Sequence, residues 1–182
     1  MNRTKLLTVR FASLAAVLLI CAVIFALSSE SGEDSSKKSS GITGSLASSV
    51  IKDYDKQTVN MQIARKNLLE ISIRKAAHAA EYMAVGAFSA IFALTFSGLP
   101  VFALKDNKKD CKKRRVLPSP FAASLAFLFC AGFASLDEIH QRFIPARNGS
   151  VSDVLLDTVA AVCAVLIVWG ALRAAGKRTA RK

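Results

Sequence analysis

Histidine, tyrosine and tryptophan are scarce in this chain of 182 residues, which has two, two and one of them. A soluble domain of this size rarely combines so few Trp and Tyr with a composition that is 52% apolar and a positive mean hydropathy. Cysteine is limited to four residues, and none stands at zinc-site spacing. Cys21, Cys130 and Cys163 lie in apolar runs, and Cys111 lies among basic residues. That placement gives no disulfide framework, and all four read as structural. A Gly-rich phosphate loop is lacking, as is any Ser-His-Asp or Cys-His nucleophile pattern. Those absences remove the familiar signatures of nucleotide and acyl-transfer enzymes. No cofactor is expected.

Long uncharged runs are abundant. Residues 11–27, 82–104, 116–136 and 158–172 contain no charged side chain. A helix needs about 20 mostly apolar residues to cross a bilayer core. The pattern predicts an all-α polytopic membrane protein, a single domain over 1–182. It would be an antiparallel bundle of four transmembrane helices spanning about 9–28, 75–102, 118–137 and 152–172. The first run follows Arg3, Lys5 and Arg10, as a signal peptide would. Its apolar part is longer than a signal core and no clean A-x-A site follows, so it reads as a retained anchor.

The net charge of +12 suggests nucleic acid until its placement is considered. Lys105, Lys108, Lys109, Lys112, Lys113, Arg114 and Arg115 crowd the loop 105–117, and Arg173, Lys177, Arg178, Arg181 and Lys182 crowd the tail. With the basic N-terminus, they fall on one side of a four-span bundle, the positive-inside pattern. The expectation is a cytoplasmic-membrane protein with both termini cytoplasmic, membrane lipids as partners and no nucleic acid.

The outer loop 29–74 begins "SSESGEDSSKKSSG", which reads as loop from its serine and charge content. Ile42, Leu46, Val50 and Ile51 then recur at helical spacing, with a weaker stripe at Val59, Ile63, Leu68, Leu69, Ile71 and Ile73. Each predicts a short amphipathic helix on the membrane surface or over the outer face of the bundle.

Ionisable groups gather at one end of the predicted spans. In "RKAAHAAEY", His78 and Glu81 share a helix face, with Glu81 about 10 Å past Arg74. In "SLDEIHQ", Asp137, His140 and Gln141 share a side, and Glu138 points about 100° away. Pro145 breaks the helix, "ARNGS" supplies turn chemistry, and Ser150 or Ser152 can cap the last span. Asp153 stands in its first turn and Asp157 one turn deeper. An intramembrane acid is costly unless it faces protein or water, so three spans contribute to a shared polar pocket. His78, Glu81, Asp137 and His140 are the acid–base candidates; Glu138, Gln141, Arg147, Asp153 and Asp157 are the binding candidates. Plainer roles exist for several. Asp153 suits a helix N-terminus, Arg147 would pair with Asp153 or Asp157, and His78 with Glu81 would stabilise its own helix. A zinc site would need four converging ligands where the sequence offers only i,i+3 pairs; no metal is expected.

"DEIHQRFIPARNGSVSDVLLDT" resembles the D-E-x-x-Q-x-F-x-P-x-R-x-x-x-x-x-D motif of the VanZ-like family. "RKAAHAAEY" is similar to that family's R-K-x-x-H-x-x-E-Y segment, and "FALSSESGEDSSKKS" to its first-span exit. Order and spacing agree over nearly the whole chain outside the basic loop and tail. Ala146 and Ala160 stand where Gly is usual, and Glu30 where Gln is common. The resemblance implies a cell-envelope protein linked to teicoplanin susceptibility in Gram-positive bacteria, and no particular reaction. Two functions follow as expectations. One is an outer-leaflet polar site binding a lipid-linked wall precursor or a glycopeptide, with Arg147 as the anion contact. The other is a membrane enzyme using a histidine base and a carboxylate partner. An ion pathway is the weakest reading, because the inner halves of the spans carry no ionisable groups to continue it.

Overall fold

The computed structural model describes residues 3–96 and 119–179. It is all helical over those residues: α1 (Arg3–Ser28), α2 (Gly32–Val50), a 3-10 turn (Tyr54–Lys56), α3 (Val59–Leu94), α4 (Pro120–Gln141) and α5 (Val151–Thr179). The basic loop at 105–117, Cys111 and the last basic residues of the tail lie outside the described side chains. Four helices, α1, α3, α4 and α5, are long and apolar enough to cross a membrane.

Contacts at the two ends fix the directions. Arg10 near the start of α1 meets Thr95 beyond the end of α3. Ser28 at the end of α1 meets Asp137 near the end of α4. His78 of α3 meets Asp157 of α5. Helices α1 and α4 therefore run one way, α3 and α5 the other. The core is built of small side chains around a few large ones: Ile24, Tyr82, Val85, Cys130, Ala134 and Ala161 form its main cluster. Large apolar residues such as Phe11, Leu19, Leu128 and Ile167 point outward, as expected where lipid is the solvent and close helix packing needs small residues. Gly86 marks the closest approach. A Cβ there would overlap the backbone carbonyl of Ala161, so α3 and α5 pack backbone against backbone.

Two expectations need correction. The Ser-rich stretch after α1 is a helix, not a loop. Ser31 caps it by accepting from the Asp34 amide at 3.1 Å, with Glu33 and Asp34 in the first turn. Its buried face is made of Gly32, Ser39, Thr43 and Ala47. Ser39 and Thr43 return hydrogen bonds to carbonyls one turn earlier, which makes a polar sequence compatible with a packed face. The apolar stripe is the outward one: Ile42 and Val50 are 57% and 61% exposed.

The second correction concerns the separate short helix expected from the stripe Val59 to Ile73; the far end of the span expected at about 75–102 lies outside the described residues. Helix α3 starts at Val59 and runs unbroken for 36 residues, about 54 Å at the helical rise. No Gly or Pro interrupts residues 59–85, so the stripe expected to form a separate amphipathic helix is the front of α3. That front part and α2 form an antiparallel pair beyond the polar end of the bundle. Glu70 joins them, accepting from Ser36 Oγ at 2.6 Å and Ser39 Oγ at 2.9 Å. Helices α1, α4 and α5 also outrun their expected limits: α1 begins at Arg3, α4 continues to Gln141 and α5 to Thr179.

The turn between α4 and α5 carries a strained position. Ala146 has φ 56°, in the left-handed region that costs an L-residue roughly 1–2 kcal/mol. Gly32 packs directly on it, its amide donating to Pro145 O at 3.1 Å. Ala146→Gly should relieve that strain and raise the melting temperature by about 2–4 °C, read by differential scanning fluorimetry in detergent. A fall in melting temperature would refute the strain.

Candidate functional site

The polar end is assembled from all four long helices and the α4–α5 turn. Asp137 is buried, and its Oδ2 accepts from Ser28 Oγ at 3.1 Å and Gln141 Nε2 at 3.0 Å. Glu138 is also buried. Its Oε2 accepts from the Ser150 amide at 2.8 Å and its Oε1 faces Gln141 Nε2 at 3.3 Å. Glu138 thus ties the end of α4 to the start of α5. Its direction, 100° from Asp137 around the helix, gives it that separate partner.

Arg147 serves the end of α1. Nε donates to Glu30 O at 2.9 Å and Nη2 to Leu27 O at 2.8 Å. Leu27 O is one of the carbonyls that a helix terminus leaves without intrahelical donors, and Glu30 O lies two residues past the helix end. Burial and then the nearby Arg74 lower the pKa of the Arg147 guanidinium from its ordinary value, though arginine stays protonated in proteins. The pairing expected with Asp153 or Asp157 does not form. Asp153 pairs with Lys75, and Asp157 with His78, whose Nδ1 lies 3.1 Å from Asp157 Oδ2.

His78 and Glu81 share a face, but the histidine's carboxylate partner comes from α5. Asp157 is 1% exposed and the His78 side chain 25%. Nε2 of His78 has no hydrogen-bond partner among the described residues. His140 belongs elsewhere: it stacks on Phe25 with ring centroids 4.4 Å apart, and its Nε2 lies 3.0 Å from Ser29 Oγ. Asp137 and Gln141 meet Ser28 and His140 meets the adjacent Ser29, so the expected common side of the three is the one that faces the end of α1.

A cleft of about 490 Å³ opens over this assembly. His78, Glu81 and Asp157 line its floor, with Glu138 and Gln141 beside them. Lys38, Arg74, Lys75 and Arg147 line it toward α2 and the front of α3, and Ile42, Ile71 and Ile73 add an aliphatic wall. Asp137 sits behind Gln141, outside the lining. A second hollow of about 530 Å³ lies toward the other end, between Leu14, Phe92, Phe121 and Phe129, and its lining has no charged side chain. His78, Glu81 and all five binding candidates line the first, whereas Asp137 and His140 line neither.

Several buried oxygens at this end lack partners among the described residues: Glu81 Oε2, Asp137 Oδ1, Asp157 Oδ1 and the Tyr82 hydroxyl. Buried polar atoms are nearly always satisfied in native proteins, so these four mark a place where packing is not the whole purpose. No three His, Cys, Asp or Glu side chains among the described residues converge as metal ligands.

Nothing in the local sequence marks the Lys75–Asp153 pair or Glu70. The serine pair after Phe25 hinted at Ser28, but nothing local shows which acid an adjacent helix will bring to it.

Residues 13–173 match the sequence profile of the VanZ/LLP1 family, whereas no curated protein and no solved structure matches the chain with significance. The match takes in most of α1, most of α5 and everything between, so it covers the polar end completely, and the chain belongs to the VanZ/LLP1 family.

Proposed function

We propose that this protein binds the head of an envelope lipid or of a glycopeptide in the polar cleft, and so affects glycopeptide susceptibility. The observation that carries the reading is the cleft itself: about 490 Å³, lined by opposite charges and an aliphatic wall. A site with a few convergent polar groups beside apolar surface suits an amphiphile. The basic N-terminus, the 105–117 loop and the tail favour an orientation with both termini cytoplasmic and the cleft at the outer leaflet.

The test separates a site from a brace. His78, Glu81, Asp137, Gln141, Arg147 and Asp157 are replaced one at a time by alanine in a Gram-positive host, and folded protein level and teicoplanin susceptibility are both measured. His78→Ala and Glu81→Ala are expected to keep the protein level and lose the phenotype. Parallel loss of level and phenotype at both positions would contradict the reading.

A second reading rests on the His78–Asp157 pair. A histidine oriented by a buried carboxylate, with its other nitrogen toward a cleft, is the geometry of a general base. The enzyme would modify a lipid-linked envelope substrate. Turnover of such a lipid by the purified protein, abolished in His78→Ala, supports it; no turnover together with retained resistance in His78→Ala excludes it.

A further inference from the structure

The charges of the cleft are sorted by depth. Toward the α2–α3 pair stand four cations, Lys38, Arg74, Lys75 and Arg147. Two of them are neutralised, by Glu30 and Asp153, so this rim is positive. Arg74 has no hydrogen bond or ion pair among the described residues. At the floor, Glu81 and Asp157 face a single histidine, so the floor is negative. Glu81 lies seven residues from Arg74 on the same helix, about 10 Å along its axis.

The floor is also one-sided in hydrogen bonding. Glu81 Oε2 and Asp157 Oδ1 are buried acceptors with no donor, and Asp157 is 1% exposed. Unmet acceptors beneath a positive rim call for a ligand group that brings several N–H donors and a positive charge. A primary ammonium carries three donors; a quaternary ammonium carries none. Among the described residues the only acid acting on Arg74 is Glu70, one turn earlier and already engaged by Ser36 and Ser39, so its guanidinium has donors left for a phosphate, and Ile42 and Ile71 line the same cleft.

We propose that the cleft takes a ligand whose primary ammonium group sits at the Glu81–Asp157 floor and whose adjacent phosphate meets Arg74, a phosphoethanolamine-type head. The inference rests on the reading that the cleft binds an amphiphile, and gives that amphiphile its chemistry.

The test compares lipids of identical acyl chains against the full-length protein in detergent, by calorimetric titration. Phosphatidylethanolamine is expected to bind about ten-fold more tightly than phosphatidylcholine, in which three methyl groups replace the N–H donors and enlarge the head. Glu81→Gln should abolish that preference, and Arg74→Gln should weaken both lipids while leaving their ratio unchanged. Equal binding of the two lipids by the unaltered protein would overturn the ammonium subsite and leave the amphiphile reading standing. Absence of binding by either of them, by phosphatidylglycerol and by free phosphoethanolamine would overturn the amphiphile reading itself. Free phosphoethanolamine binding as tightly as the whole lipid would support the subsite and overturn the lipid as its source.

Discussion

Arg147→Ala is expected to lower the melting temperature of the detergent-solubilised protein by about 5–10 °C. The side chain holds Leu27 O and Glu30 O at 2.8 and 2.9 Å. Its Nη1 also reaches Gln141 Oε1 at 3.5 Å, and Gln141 bonds to the buried Asp137 and Glu138. Hydrogen bonds to charged groups are worth about 1.5–3 kcal/mol each, and truncation leaves Leu27 O with only the long 3.4 Å bond from the Glu30 amide and takes the Arg147 donor from Glu30 O. Arg147→Lys should recover less than half of the loss. A lysine supplies a point charge but not the planar fork that reaches two carbonyls at once. A melting temperature for Arg147→Ala within about 2 °C of the parent, measured by scanning fluorimetry, would show that the end of α1 does not depend on this residue.

Asp157→Asn is expected to move stability and function in opposite directions. The asparagine oxygen can keep the bond to His78 Nδ1, now 3.1 Å from Asp157 Oδ2. Its amide places donors where Asp157 Oδ1 has no partner and where Glu81 Oε2 and Asp137 Oδ1 are also unmet. With the bond to His78 kept, removing one of several neighbouring buried carboxylate charges and supplying a donor beside their unmet oxygens should raise the melting temperature by about 2–4 °C. The same change removes half of the negative floor of the cleft and should weaken ligand binding roughly ten- to a hundredfold. Proteins commonly hold destabilising groups where function requires them. If Asp157 is a brace, the variant will lose stability and binding together, and paired fluorimetry and titration will show it.

The spans were legible because uncharged runs of this length have few other uses in a chain. The polar end was legible because acids and histidines recur at one end of three spans and not at the other. What escaped was what small polar residues do when packed. Helix α2 buries Ser39 and Thr43 and exposes Ile42 and Val50, the reverse of the hydropathy rule, because the serine and threonine hydroxyls are satisfied inside the helix. The start of α3 escaped because the change from charged to apolar at Arg74 looks like a boundary, while the backbone has no Gly or Pro there to stop it. Partner choice was the least legible. His78 had Glu81 one turn away, yet it bonds to Asp157, 79 residues on. Ser28 reaches Asp137 across 109 residues, a contact set by how helices pack and by nothing in either segment alone. Ala146 is the opposite case. Its position where the related motif usually has glycine pointed to a turn, and the structure places it at φ 56°.

The central claim is that the polar cleft holds an amphiphile distinct from the surrounding lipid. The most direct measurement places a photoreactive amino acid at Ala77, which lines the cleft, and at Leu166, which is 56% exposed on the outer face of α5. After illumination in native membranes, adducts are identified by mass spectrometry. The prediction is that position 77 captures an amphiphile enriched several-fold over its membrane abundance, while position 166 captures lipids in their bulk proportions. Bulk proportions at both positions, or no adduct at position 77 with normal labelling at 166, would contradict it.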